Sequence, residues 1–90
     1  MTFRRTSLNI SVKQALDDTV RDSSAGYVTI GVEDSGDFLG EAKDYRNALV
    51  VFEKFLDLTV VDYWWGSKNG SIGVDIIVDE DDYFKLKDTK

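Results

Sequence analysis

Between Glu41 and Trp65 the hydrophobic period of the chain changes once, and that change limits the folds open to it. Tyr45, Leu49, Phe52 and Leu56 recur at four- and three-residue steps, with Ala48, Val51 and Phe55 widening the stripe. This spacing predicts an amphipathic helix over Glu41 to Leu56 that must bury one side. Glu41 and Asp44 fall in its expected first turn, where carboxylates complement the positive end of the helix dipole. After Asp57 the pattern alternates, with Thr59, Val61, Tyr63 and Trp65 on one side and Leu58, Val60, Asp62 and Trp64 on the other, which predicts a strand. A helix that runs straight into a strand asks for a helical layer packed on a sheet.

The sharpest local signal follows. Asn69-Gly70 lies between two alternating apolar runs, and both residues accept the positive φ that a type I′ hairpin turn requires. Counting outward from that turn pairs Lys68 with Ser71, Trp65 with Val74, Tyr63 with Ile76 and Val61 with Val78. One face then collects Val61, Tyr63, Trp65, Ile72, Val74, Ile76 and Val78 and is expected to be core. The other collects Val60, Asp62, Trp64, Gly73, Asp75, Ile77 and Asp79 and is expected to meet solvent.

Upstream, Ser11 followed three residues later by Gln14 fits a capping box, and Val12, Ala15, Leu16, Thr19 and Val20 keep helical spacing to about Arg21. Phe3 to Ile10 reads as a frayed edge strand, and Tyr27 to Glu33 as a strand with Val28, Ile30 and Val32 on one face. Asp34 to Asp37 suits a tight turn, with Phe38 and Leu39 leading into the central helix. Tyr83, Phe84 and Leu86 form a last short strand or turn of helix behind the acidic run Asp79 to Asp82. The expected fold is α+β: residues 1–90 form a single domain with two helices on one face of a roughly four-stranded, mainly antiparallel sheet that ends in a hairpin. Phe52, Leu49, Trp65, Ile76 and Ile30 are the expected core.

Composition removes several chemistries. The 90 residues include no Cys and no His, which excludes disulfides, thiolate and imidazole metal ligands, and removes two of the side chains, beside Ser or Lys with a positioned base, on which nucleophilic and general acid–base mechanisms most often rely. Paired acids such as Asp17 and Asp18 splay about 100° apart on a helix instead of converging. The glycines at 31, 36 and 40 match no phosphate loop. The run Asp79, Glu80, Asp81, Asp82 and the pair Asp34 and Asp37 carry the oxygen ligands of a hard cation, but without the spacing of a calcium loop. The expectation is therefore a non-enzymatic protein with no cofactor or metal. No run approaches the roughly 18 apolar residues of a membrane span and no targeting segment is recognisable, so a cytoplasmic location is expected.

Seventeen acidic against eleven basic residues give a net charge of −6, which disfavours direct binding to a phosphate backbone. The excess lies in residues 31–90, which hold fourteen acids and seven bases. Neighbours on a strand face opposite ways, so Trp64 and Trp65 cannot enter one core. Trp65 is expected inside, and Trp64 on the face of Asp62, Asp75 and Ile77. A tryptophan among carboxylates has the makeup of an interface anchor for a basic surface. The sites expected to bind a partner are Asp62, Trp64, Asp75, Ile77, Asp79, Glu80, Asp81 and Asp82. The expected function is that of a small acidic inhibitor, monomeric or dimeric, that blocks the basic, nucleic-acid-binding surface of another protein, a nuclease among the targets. Anti-CRISPR, anti-restriction and DNA-mimic proteins of phages work by this logic. An immunity protein against a toxic nuclease and a self-associating structural subunit are the alternatives.

Overall fold

The computed structural model describes residues 10–21 and 25–88. The elements run β1 (Ile10–Ser11), α1 (Val12–Thr19), β2 (Tyr27–Val32), β3 (Phe38–Ala42), α2 (Tyr45–Val51), a 3-10 turn (Glu53–Phe55), β4 (Thr59–Lys68), β5 (Ser71–Val78) and α3 (Glu80–Asp88). Of the expected strand Phe3 to Ile10, all but Ile10 lies outside the described residues. The five strands form one curled sheet in the order β1-β4-β5-β2-β3, with β2 and β5 parallel and the other pairs antiparallel. Among the described residues the architecture is thus α+β, with three helices where two are expected and five strands where four are expected.

Helix α1 starts where its cap predicts. Ser11 Oγ accepts from the Gln14 backbone N–H at 3.1 Å, satisfying one of the donors that a helix start leaves open. The N–H groups of Val12 and Lys13 donate to the carbonyls of Leu58 and Leu56, each at 3.0 Å, so the same helix start is fastened to the entry of β4. The central helix begins later than the apolar stripe implies. Residues 38–42 pair with β2 as a strand, so Glu41 lies in β3 and not in a first helical turn. Asp44 is the N-cap instead, its Oδ1 accepting from Asn47 N–H at 2.8 Å. The helix closes at Phe52, whose amide donates to the Ala48 carbonyl, before the 3-10 turn.

The hairpin forms at Asn69 (φ 52°) and Gly70 (φ 83°), as a type I′ turn requires. Lys68 faces Ser71, Trp65 faces Val74 and Tyr63 faces Ile76. The count fails at Val61: a bulge between Val60 and Asp62 makes Val60, not Val61, the partner of Val78. One extra residue reverses the faces of all residues before it. Val60 therefore belongs with Val78 in the core, fully buried, and not on the solvent face. Asp62, Trp64 and Asp75, on the turn side of the bulge, keep their assigned face.

The core lies between the helices and one face of the sheet. Val28, Ile30 and Val32 of β2 sit beside Val74, Ile76 and Val78 of β5, and Val12, Ala15, Leu16, Ala48 and Phe52 close over them. Phe52, Ile30 and Ile76 are fully buried, and Leu49 is half-buried against them. Trp65 departs from expectation at 49% exposed, as does Ile72 at 62%. Both lie on the helix-bearing face, but the core ends at the level of Tyr63 and Val74 and the hairpin continues beyond it. No helix among the described residues is long and apolar enough to cross a membrane.

Candidate functional site: the helix-free face of the sheet

The strand registers assemble the opposite face residue by residue. One cross-strand row reads Glu41, Thr29, Asp75, Trp64, the next toward the hairpin turn reads Tyr27, Gly73, Gly66, and the next in the other direction joins Gly31, Ile77 and Asp62. Of the residues expected to bind a partner, Asp62, Trp64, Asp75 and Ile77 are therefore brought together. Trp64 is 45% exposed and its three companions are half-buried.

Tyr27 organises this face. Its side chain lies against Gly73, where an added Cβ would sit 2.5 Å from ring atoms Cγ and Cε2. Glycine is required there because the ring fills the space a side chain would need. The hydroxyl end reaches over Gly66, where an added Cβ would be 3.0 Å from Tyr27 Oη and 3.0 Å from Asp75 Oδ2. Thr29 Oγ1 donates to the other carboxylate oxygen, Asp75 Oδ1, at 2.5 Å. Lys68 spans the sheet, its Nζ 5.7 Å from the centre of the Tyr27 ring and 2.8 Å from Glu41 Oε1. Burial, aided by the negative charge of Asp75, pushes the Tyr27 hydroxyl above its ordinary value, so it stays protonated at neutral pH. The hydrogen bond from Lys68 to Glu41 raises the lysine further.

The four remaining acids are placed elsewhere, at the start of α3. Asp79 Oδ2 accepts from Asp82 N–H at 3.1 Å, the geometry of an N-cap, and Asp82 Oδ2 accepts from Thr59 N–H at 3.0 Å. Glu80, Asp81 and Asp82 occupy the first turn of that helix, where they complement its dipole. Asp79 and Asp82 hold α3 at the end of the sheet, and none of the four acids joins the Trp64 cluster in a strand row. Beside them an open depression of about 370 Å³ is lined by Lys54, Asp57, Leu58, Asp82, Lys85 and Leu86. Among the described residues no group of three or more Asp or Glu is arranged to hold a metal ion.

Residue reasoning passed over Tyr27, Thr29, Gly66, Gly73, Glu41 and Lys68. Their grouping depends on the parallel pairing of β2 with β5, and no local spacing announces a pairing between strands some forty residues apart. The alternation of Tyr27, Thr29 and Gly31 was the available signal, but it gave no neighbour.

Among the described residues, the sheet with helices on one face and an aromatic, carboxylate-edged opposite face defines a small α+β domain with an open surface. Compared with protein-family models, curated proteins and solved structures, the chain matches none.

Proposed function

We propose that the protein is a non-enzymatic binding domain that docks the helix-free face of its sheet onto the basic, nucleic-acid-binding surface of another protein and so inhibits it. The observation that carries this reading is Trp64, 45% exposed on a sheet face that also bears Asp62 and Asp75. Tryptophan supplies a large apolar area with a polar tip, the makeup of an interface anchor. Asp62, Asp75 and Glu41 outnumber Lys68 on that face, and Glu80 and Asp81 extend the negative field from the end of the sheet. Charge of this sign speeds encounter with a basic surface and opposes nucleic acid at the same place.

The test is affinity capture with the wild-type protein and with Trp64→Ala, followed by competition between each captured protein and duplex DNA. The reading expects a nucleic-acid-binding protein that the wild type retains, the variant loses, and DNA displaces. A partner retained equally by both proteins, or one indifferent to DNA, would contradict it. Self-association is favoured by a separate observation: Phe38, on edge strand β3, is 65% exposed and Val50, on α2, is 74% exposed. Sedimentation equilibrium distinguishes it, since a structural subunit dimerises at micromolar concentration and Phe38→Ser with Val50→Ser returns it to monomer.

A further inference from the structure

We infer that the partner meets the helix-free face with a basic amphipathic helix laid along β2 and β5 between Phe38 and Trp64, an inference that rests on the protein-binding reading above. Phe38 is the register partner of Gly31, so it joins Ile77 and Asp62 in one cross-strand row. Its neighbour Leu39 packs against the core, which leaves Phe38 on the opposite face, 65% exposed. Across β4, β5, β2 and β3 the outer two strands therefore carry large exposed rings, Trp64 and Phe38. The inner two carry Asp75, Ile77, Thr29 and Gly31 in the same rows, and these side chains lie low. Ile77 leans over Gly31, its Cδ1 3.5 Å from where a Cβ would sit, and Thr29 bonds sideways to Asp75.

Three strand spacings separate Phe38 from Trp64, about 14 Å, and an α-helix with its side chains is about 10–12 Å across. One helix thus fits between the rings with its axis along the strands. It rests on these side chains, enters no cavity, and gives the sheet the second helical layer that covers both faces of a sheet. At the hairpin end it stops where Lys68 crosses the Tyr27 ring to reach Glu41. Apolar side chains at i, i+3, i+4 and i+7 cover about 10 Å along the strands, enough to touch Phe38, Ile77 and Trp64. Asp62 and Asp75 set the charge of the flank beside β4 and β5, where lysine or arginine meets them. A second copy of the chain would bring the same acids face to face, and nucleic acid would bring phosphates to them. A basic helix is also an element that enters the major groove of DNA, so one helix cannot occupy both places.

The probe is a blocked peptide of leucine, alanine and lysine, about 14 residues or four turns long, with leucines at i, i+3, i+4 and i+7 and lysines beside them. It is titrated into 15N-labelled full-length protein and followed by amide and indole resonances. The same residues shuffled to scatter the leucines, and a version with proline at its centre, serve as comparisons. Saturable shifts are expected at Thr29, Gly31, Ile77 and the Trp64 indole, with a gain of helical circular dichroism in the mixture. Gly31→Leu occupies the path of the helix, and the fold accepts it, since a Cβ there meets only Ile77 Cδ1 and the Asp37 carbonyl, both at 3.5 Å. It should weaken binding about tenfold or more, and Trp64→Ala should do the same. Shifts that do not saturate, that map to α1 or α2, that persist undiminished in either folded variant, or that a comparison peptide reproduces at equal affinity would overturn the inference. Because the probe is a synthetic peptide, this result is independent of partner capture. Trp64-dependent capture with a failed titration removes the helix and leaves the docking face standing. A successful titration without such capture does the reverse.

Discussion

Tyr27 covers Gly73 on the neighbouring parallel strand so closely that no other residue fits at position 73 without moving the ring. Gly73→Ala should therefore destabilise the fold by about 1–3 kcal/mol, the usual cost of overpacking, although alanine has the better backbone entropy. The two positions are coupled: Tyr27→Ala with Gly73→Ala should cost less than the sum of the single changes. Urea unfolding of the four proteins checks this, and additive losses would separate Tyr27 from Gly73.

Phe52 anchors the core from the end of α2, fully buried, with its ring 3.4 Å from where a Cβ would sit on Gly40 of β3. Phe52→Ala should cost roughly 3–5 kcal/mol, much of the roughly 5–13 kcal/mol expected for a domain of this size. A loss below about 1 kcal/mol in urea unfolding would mean that the contact between helix and sheet is not the main core.

Asp44, and not Glu41, starts the central helix. Asp44→Ala should cost about 1 kcal/mol through the lost cap, whereas Glu41→Gln should leave the helix intact and release Lys68. Circular dichroism during thermal unfolding distinguishes the two. Equal losses would return Glu41 to the helix.

Helices α1 and α2 are joined through Asp17, which accepts from the Tyr45 hydroxyl at 2.6 Å and pairs with Lys13 at 2.9 Å. The tyrosine hydrogen bond first, and then the lysine, hold the Asp17 carboxyl below its ordinary value of 3.8. A carboxyl lowered in the folded state contributes stability above its unfolded value and loses that contribution as pH falls through the folded one. Tyr45→Phe should thus be less stable than the wild type at pH 7, and the gap should narrow as pH drops below 3.8. A gap unchanged between pH 7 and pH 3 would assign the loss to packing alone.

Elements specified by short-range chemistry were legible in the sequence. Ser11 and Gln14 marked α1, Asn69-Gly70 set the hairpin, and the count from that turn held from Lys68 back to Asp62. It failed at Val61 because a bulge leaves no trace in an alternating run of valines. Strand β3 was hidden because Glu41 and Asp44 both favour a helix start, and only pairing with β2 decides between them. Half of the expected binding set, Asp62, Trp64, Asp75 and Ile77, follows from the hairpin register and meets on one face. Alternation carries Asp79 onto the same face and charge alone adds Glu80, Asp81 and Asp82, whereas the strand ends at Val78 and the structure uses Asp79 and Asp82 to start α3 and fasten it to Thr59. The glycine floor under Tyr27 needed the β2 and β5 pairing and was out of reach.

The central claim is that Trp64 on the helix-free face anchors a partner, and dissociation kinetics test it most directly. Val50 provides the control, an apolar residue 74% exposed on the helical layer. Once a partner is captured, its off-rate should be measured by surface binding for wild type, Trp64→Ala and Val50→Ala. The account predicts dissociation roughly 30-fold faster for Trp64→Ala, corresponding to about 2 kcal/mol, and no change for Val50→Ala. An unchanged off-rate for folded Trp64→Ala, or a loss confined to Val50→Ala, would contradict it and move the interface to the helices.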